Sequence, residues 1–196
     1  MIDLLVLGFA EFDLLAVLQV GDIAPGSIPH LFLLVGRSTN LGCALLEFYC
    51  IYTCMDCRID VHQVLGLAPG EAHVLRNAGA RATDDVIRSL IKSTVQLEVE
   101  RIAVVHHTDC GAAKIQLDDL RARVLDRTGH EPTDVEFHLI GDERQSIVDD
   151  VGRLCASPYL PPGTDVAGFL YDVRTGRLAP VLSGTVGDVP VLADAL

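Results

Sequence analysis

Tryptophan is absent from the 196 residues, aromatic residues of all kinds make up 5%, and only 15 residues are basic against 27 acidic. The formal charge of −12 argues against a nucleic-acid partner, because neutralising phosphates takes a Lys/Arg surplus. No Lys or Arg precedes Arg37, so the positive region of a signal peptide is missing, and Asp3, Glu11 and Asp13 interrupt the apolar run. The longest uncharged stretch there, Ile23 to Gly36, carries Pro25, Pro29 and two glycines. It is too short and too broken to span a bilayer, and interfacial helices usually carry the Lys/Arg that this segment lacks. The expectation is a soluble, cytoplasmic protein.

What is present is apolar residues, at 49% of the chain, enough for one domain with a sizeable core and too many for a disordered chain. Six cysteines occur: Cys43, Cys50, Cys54, Cys57, Cys110 and Cys155. The chain is longer than disulfide-framework scaffolds, and three of the six stand among polar, metal-type neighbours, which favours a reducing compartment. Three zones are read: an atypical apolar segment 1–46, a main domain 47–182, and a C-terminal tail 183–196.

Within the main domain, short β-branched runs alternate with amphipathic segments. Phe48 to Thr53 is a continuous apolar run suited to a buried strand. A short helix is expected over Asp60 to Leu67, stopped by Ala68-Pro69-Gly70, and a second strand over His73 to Arg76, ending at Asn77-Ala78-Gly79. Thr83 reads as an N-cap, with Asp84 and Asp85 in the first turn of a helix whose apolar face is Val86, Ile87, Leu90, Ile91 and Leu97. Ile102 to His106 is a third strand, Cys110 to Ala113 opens another helix, and Asp142 to Leu154 is helical by the spacing of Ile147, Val148, Val151 and Leu154. Val166 to Val173, a turn at Arg174 to Gly176, and Arg177 to Leu182 read as two pairing strands. Strands separated by helices predict an α/β fold with a mostly parallel central sheet flanked by helices, and chemistry at the carboxyl ends of its strands.

Two motifs fall at such ends: Cys54-Met55-Asp56-Cys57-Arg58 after the first strand, and His107-Thr108-Asp109-Cys110-Gly111 after the third. Cys54, His107 and Cys110 make a Cys₂His set, and three protein ligands leave one corner of a zinc tetrahedron for water. Alternation along an extended segment would set Cys54, Asp56 and Arg58 on one side, where Arg58 can grip the Asp56 carboxylate in two places and keep it ionised. A carboxylate so held can orient a hydroxide that zinc makes available at neutral pH.

The pair C-x-D-x-R and H-x-x-C, with Arg76-Asn77-Ala78-Gly79, Thr83-Asp84-Asp85 and Gly168-Phe169-Leu170-Tyr171-Asp172, resembles the beta-class carbonic anhydrases over roughly residues 47–182. The resemblance implies that family's fold. It also implies one zinc ion held by Cys54, His107 and Cys110, an Asp56/Arg58 catalytic dyad, and reversible hydration of carbon dioxide to bicarbonate by metal-bound hydroxide. It implies homodimers or higher assemblies with sites near the subunit interface, and a closed form in which Asp56 can take the fourth zinc position. Two departures stand out. Cys57 creates a C-x-x-C pair, and residues 1–46 do not resemble the family's N-terminal helices. The Trp-based bicarbonate-inhibition site of some members is not implied, since the chain has no Trp.

Other readings stay open at this level. Cys57 can complete a closed Cys₃His structural site in a non-catalytic zinc-stabilised module, or form a redox pair with Cys54, although a merely buried thiol is favoured. Cys43, Cys50 and Cys155 are read as core thiols. His106 is read as a satisfied histidine facing away from His107. His62, His73, His130 and His138 lack partners at ligand spacing, and any of them can serve as a proton shuttle. Asp109 either orients Arg58 or caps a helix. Gly111 permits close backbone approach, and Asn77 to Gly79 shape a pocket wall that Val, Leu and Ala side chains make apolar. Carbonyl sulfide and carbon disulfide hydrolases share the scaffold and the ligands, so they are the nearest enzymatic rival.

Overall fold

The computed structural model describes residues 49–193. The segment 1–46, Phe48 and Cys43 therefore lie outside the described residues. Strand β1 (Tyr49–Cys54) is buried along all six residues, because it lies between two parallel neighbours with both faces covered. Its neighbours are β2 (His73–Asn77), which is half-buried at the sheet edge, and β3 (Arg101–His107), buried from Ile102 onward. Strand β4 (Asp165–Tyr171) continues the parallel set beside β3, and β5 (Leu178–Thr185) and β6 (Val191–Leu192) add antiparallel. The spatial order is β2-β1-β3-β4-β5-β6. The stretch 183–193, expected as tail, thus supplies the end of β5 and all of β6.

The helices begin where side-chain caps allow. Asp60 accepts from the Gln63 amide to open α1 (Val61–Leu65), which ends at Gly66 in the left-handed region, before the expected Ala-Pro-Gly stop. Thr83 accepts from the Val86 amide to open α2 (Asp84–Ile91), with Asp84 and Asp85 in its first turn as anticipated. Val86 and Leu90 are buried on it, but a π-helical turn over Lys92–Gln96 shifts the spacing, so Leu97 is exposed and leaves the expected apolar face. After Cys110 there is only a 3₁₀ turn (Ala112–Lys114) rather than the expected helix. The regular helix α3 (Leu117–Thr128) starts later and buries none of its residues.

Helix α4 (Glu143–Cys155), capped by Asp142, packs on β3, β4 and β5. Ile147, Val151 and Leu154 on it are fully buried, each contributing about 1.5–3 kcal/mol relative to exposure. The helix sits close over Gly168: a Cβ there would lie 3.0 Å from Val151 Cγ2 and 2.8 Å from Leu182 Cδ2 on the neighbouring strand. Between β4 and β5 the Asp172 carboxylate accepts from the Arg174 and Thr175 amides, and Gly176 turns with φ +73°. Among the described residues no helix is long and apolar enough to cross a membrane.

The order β2-β1-β3 fixes where a site can form. The chain leaves β1 toward β2 on one side, then crosses to β3 on the other, so the crevice between the carboxyl ends of β1 and β3 is a topological switch point. Cys54 is the last residue of β1 and His107 the last of β3.

Candidate metal centre and active site

Cys54 and His107 are carried to the switch point by the strands themselves. Cys110 follows on a loop held at its start by Thr108, whose amide donates to the Tyr171 carbonyl and whose hydroxyl accepts from the Val173 amide. The ligand atoms of Cys54, His107 and Cys110 all lie within 4.8 Å of one another, and all three residues are buried. The two sulfurs are 3.9 Å apart. A zinc tetrahedron with Zn–S of about 2.3 Å separates its sulfurs by about 3.8 Å, so the donor set already has the required spacing. His107 Nδ1 lies 2.9 Å from the Thr108 carbonyl, an acceptor, so Nδ1 carries the proton and the Nε2 lone pair is free. Nε2 is buried without a hydrogen-bond partner. An orphaned imidazole nitrogen facing two thiols is what a soft divalent metal would satisfy. These residues fit zinc.

The electrostatics of the two sulfurs agree. The Cys54 thiol is held well below its usual range, first by the hydrogen bond from Cys110, while that shared proton and burial push Cys110 up. The Gly79 amide donates to the Cys54 sulfur at 3.3 Å, a bond made by a glycine with φ +75° whose Cβ would meet Ile140 Cδ1 at 2.8 Å. Burial pushes Cys50 up to about 12 and Cys155 up to about 11, so both are inert core thiols, as expected. Cys57 is exposed and stands outside the ligand group, which corrects the expectation of a buried thiol.

Asp56 and Arg58 form the two-pronged pair: Nε donates to Oδ1 at 3.0 Å and Nη2 to Oδ2 at 2.7 Å. The cause differs from strand alternation. Strand β1 ends at Cys54, and residues 56–59 make a turn in which the Arg58 amide also donates to Asp56 Oδ1 at 2.9 Å. Arg58 holds the Asp56 carboxyl well below the usual carboxylate range. Asp56 Oδ2 lies 3.8 Å from His107 Nε2, so the carboxylate borders the ligand group.

Asp109 resolves the two readings left open for it. It caps no helix; its Oδ2 and its carbonyl oxygen each accept from Arg58 at 3.0 Å, and its Oδ1 pairs with Lys114. Its φ of +55° is one that Asp tolerates better than most residues. Arg58 thereby ties the loop after β1 to the loop after β3. Sequence reading missed Arg76, whose guanidinium donates to the Cys54 carbonyl at 2.9 Å and the Asp56 carbonyl at 2.6 Å. Arg76 stood in the Arg76-Asn77-Ala78-Gly79 motif, near the end of β2, but no role was assigned to its side chain. His106 is buried with Nε2 3.2 Å from Asp150 Oδ2, an ion-pair distance, but neither of its ring nitrogens makes a hydrogen bond, so it is less satisfied than expected. A cleft of about 360 Å³ opens beside the end of β2, where Leu75, Ala78, Val86 and Phe137 mix with Arg76 and Glu136. None of Cys54, Asp56, Arg58, His107 and Cys110 lines it.

Fold and site together define an α/β protein with a Cys₂His metal-type centre and an adjoining Asp–Arg pair at a sheet switch point. A family model described as carbonic anhydrase matches residues 49–178. Beta-carbonic anhydrase 1 of Mycobacterium tuberculosis is 42% identical over 134 residues, covering 67% of this chain and 80% of that protein. The crystal structure of carbonic anhydrase from Streptococcus mutans superposes with a TM-score of 0.67 at 40% identity, covering 74% and 87% of the two chains. A carbon disulfide hydrolase from Acidianus sp. is 31% identical over 152 residues, covering 65% and 74%. The chain belongs to the carbonic anhydrase family, in its beta class.

Proposed function

We propose that this protein is a zinc enzyme that interconverts carbon dioxide and bicarbonate. The observation that carries the reading is the buried Cys54–His107–Cys110 group with an ionised carboxylate, held by arginine, at its border. Those three residues would hold the zinc. When bound, zinc lowers the pKa of a water in its open position to about 7 and so supplies a nucleophile at neutral pH.

The chain's own residues do the rest. Asp56 is acceptor-only when ionised, so it takes a hydrogen bond from the attacking solvent molecule and turns a lone pair toward the carbon. Arg58 uses three nitrogens on Asp56 and two on Asp109, which leaves the carboxylate one orientation. Arg76 grips the backbone on either side of Met55 and keeps the Cys54 sulfur and the Asp56 carboxylate in one frame. We take the setting to be cytoplasmic and the working unit to be a homodimer or higher homo-oligomer, which sedimentation at micromolar concentration tests.

A second reading keeps the same residues and changes the substrate to carbon disulfide or carbonyl sulfide, as the name of the Acidianus relative invites. Stopped-flow hydration of carbon dioxide, run beside sulfide release from both sulfur substrates, separates the two. Sulfide release with negligible hydration overturns the first choice. A structural-zinc module is disfavoured because Cys57 lies outside the ligand group and the core is built from residues that need no metal. Chelation is expected to abolish activity and leave far-ultraviolet circular dichroism intact; unfolding on chelation would favour the module.

A further inference from the structure

A second polar cluster lies buried apart from the metal ligands, and the proposed chemistry does not use it. Asp150 on α4 is 3% exposed, and its carboxylate meets three elements. Oδ1 accepts from the Ala82 amide at 3.0 Å, and Oδ2 lies 3.1 Å from Arg81 Nε and 3.2 Å from His106 Nε2. The Arg81 guanidinium also donates to Ser146 Oγ at 2.8 Å. A buried carboxylate is costly to hold unless its partners repay the desolvation, so this arrangement needs a reason.

The reason lies in the loop that Asp150 grips. Asn77 closes residues 77–81 into a ring: its Oδ1 accepts from the Arg81 amide at 3.0 Å and its Nδ2 donates to the Arg81 carbonyl at 2.8 Å. The Tyr52 hydroxyl donates to Asn77 Oδ1 at 2.9 Å from inside the sheet. Within the ring, Gly79 has φ +75° and Ala80 has φ +54°. Glycine takes that region freely, but alanine takes it only where surroundings enforce it. Ala80 is fully buried, and the residues that follow it are the ones Asp150 holds. In this turn the Gly79 amide, next to strained Ala80, donates to the Cys54 sulfur. The same carboxylate touches His106, the residue before ligand His107.

We infer that Asp150 is a positioning residue for the metal centre, holding the 77–82 loop in the left-handed turn that delivers the Gly79 N–H to the Cys54 sulfur. This rests on the metal reading proposed above. An N–H donated to a coordinating sulfur lowers the energy of its lone pairs, so losing it raises them and moves sulfur-to-metal charge transfer to longer wavelength. Partners of this kind typically change metal affinity by about 10–100-fold.

The test uses the full chain loaded with cobalt(II) in place of zinc. Asp150→Asn keeps the shape but turns an amide donor toward Arg81 or His106. The expected result is a red-shifted sulfur-to-cobalt band and cobalt affinity lowered about 10-fold in chelator competition. Ala80→Gly added to Asp150→Asn is expected to return the band toward the parent position, because glycine holds φ +54° unaided. A parent protein without any sulfur-to-cobalt band refutes the metal reading itself. A parent band that Asp150→Asn leaves in place, with folded protein and lower melting temperature only, overturns this inference and leaves the metal reading standing. Failure of Ala80→Gly to restore the band also overturns it. Should Asp150→Asn not fold, Ser146→Ala loosens the Arg81 anchor alone; a smaller red shift supports the inference and an unmoved band overturns it.

Discussion

Replacing Asp56 by asparagine probes the part of the site that chemistry would need most. The side chain keeps its size, and Oδ1 can still accept from the Arg58 amide and Nε, at 2.9 and 3.0 Å in the parent. The new amide nitrogen then stands where Oδ2 accepts from Nη2 at 2.7 Å, so donor meets donor and that prong is lost. Asparagine also offers a donor to the solvent molecule that Asp56 is proposed to orient. Groups that accept or orient a reacting proton typically contribute 10²–10⁴-fold, so kcat/KM for carbon dioxide hydration should fall by about 100-fold or more, about 2.7 kcal/mol of barrier. Asp56 is not in the ligand group, so metal content should stay at one per chain. The assay is stopped-flow hydration with metal analysis on the same sample. Activity within twofold of the parent at full metal content would refute the dyad, and parallel loss of metal would make Asp56 a ligand instead.

Cys110→Ser should lose metal by at least tenfold in affinity while Cys57→Ser keeps both metal and activity, since only Cys110 is buried in the ligand group; equal behaviour in chelator competition would overturn that distinction. Gly168→Ala should cost about 1–3 kcal/mol in urea unfolding, because the new methyl would overlap Ile147 Cγ2 and lie 2.8 Å from Leu182 Cδ2. Arg58→Met should raise the Asp56 titration toward the ordinary carboxylate value near about 4, read by carboxyl ¹³C NMR. The sign follows from the depressed folded value: the pair's stabilisation is present above about pH 4 and fades as pH falls through the folded pKa. The stability gap between parent and Arg58→Met should therefore close in acid.

Much of the site could be read locally. Cys54, His107, Cys110, Asp56 and Arg58 are named by residue type and spacing, and Thr83 and Asp142 cap α2 and α4 as short polar side chains before apolar periods do. The misreadings arose where a local rule met a competing geometry. Asp56 and Arg58 share a side through a turn, not through an extended strand, and the same turn leaves Cys57 in solvent. The π turn at Lys92–Gln96 broke the spacing that put Leu97 on the helix face. After Cys110 a 3₁₀ turn over Ala112–Lys114 stands where a helix was expected, and just before it Asp109 takes φ +55° and meets Arg58 and Lys114.

By itself, the order of residues picked out the candidate donor residues, the Asp56–Arg58 pair and the alternation of strand and helix, because residue type, capping and periodicity act over a few positions. Only the tertiary structure decided that β1 and β3 end side by side, that Arg58 bridges two loops through Asp109, and that Asp150 reaches across from α4 to Arg81, Ala82 and His106. Those contacts join residues from about 40 to almost 70 positions apart, and nothing in a short window of sequence says which strand ends the sheet will bring together.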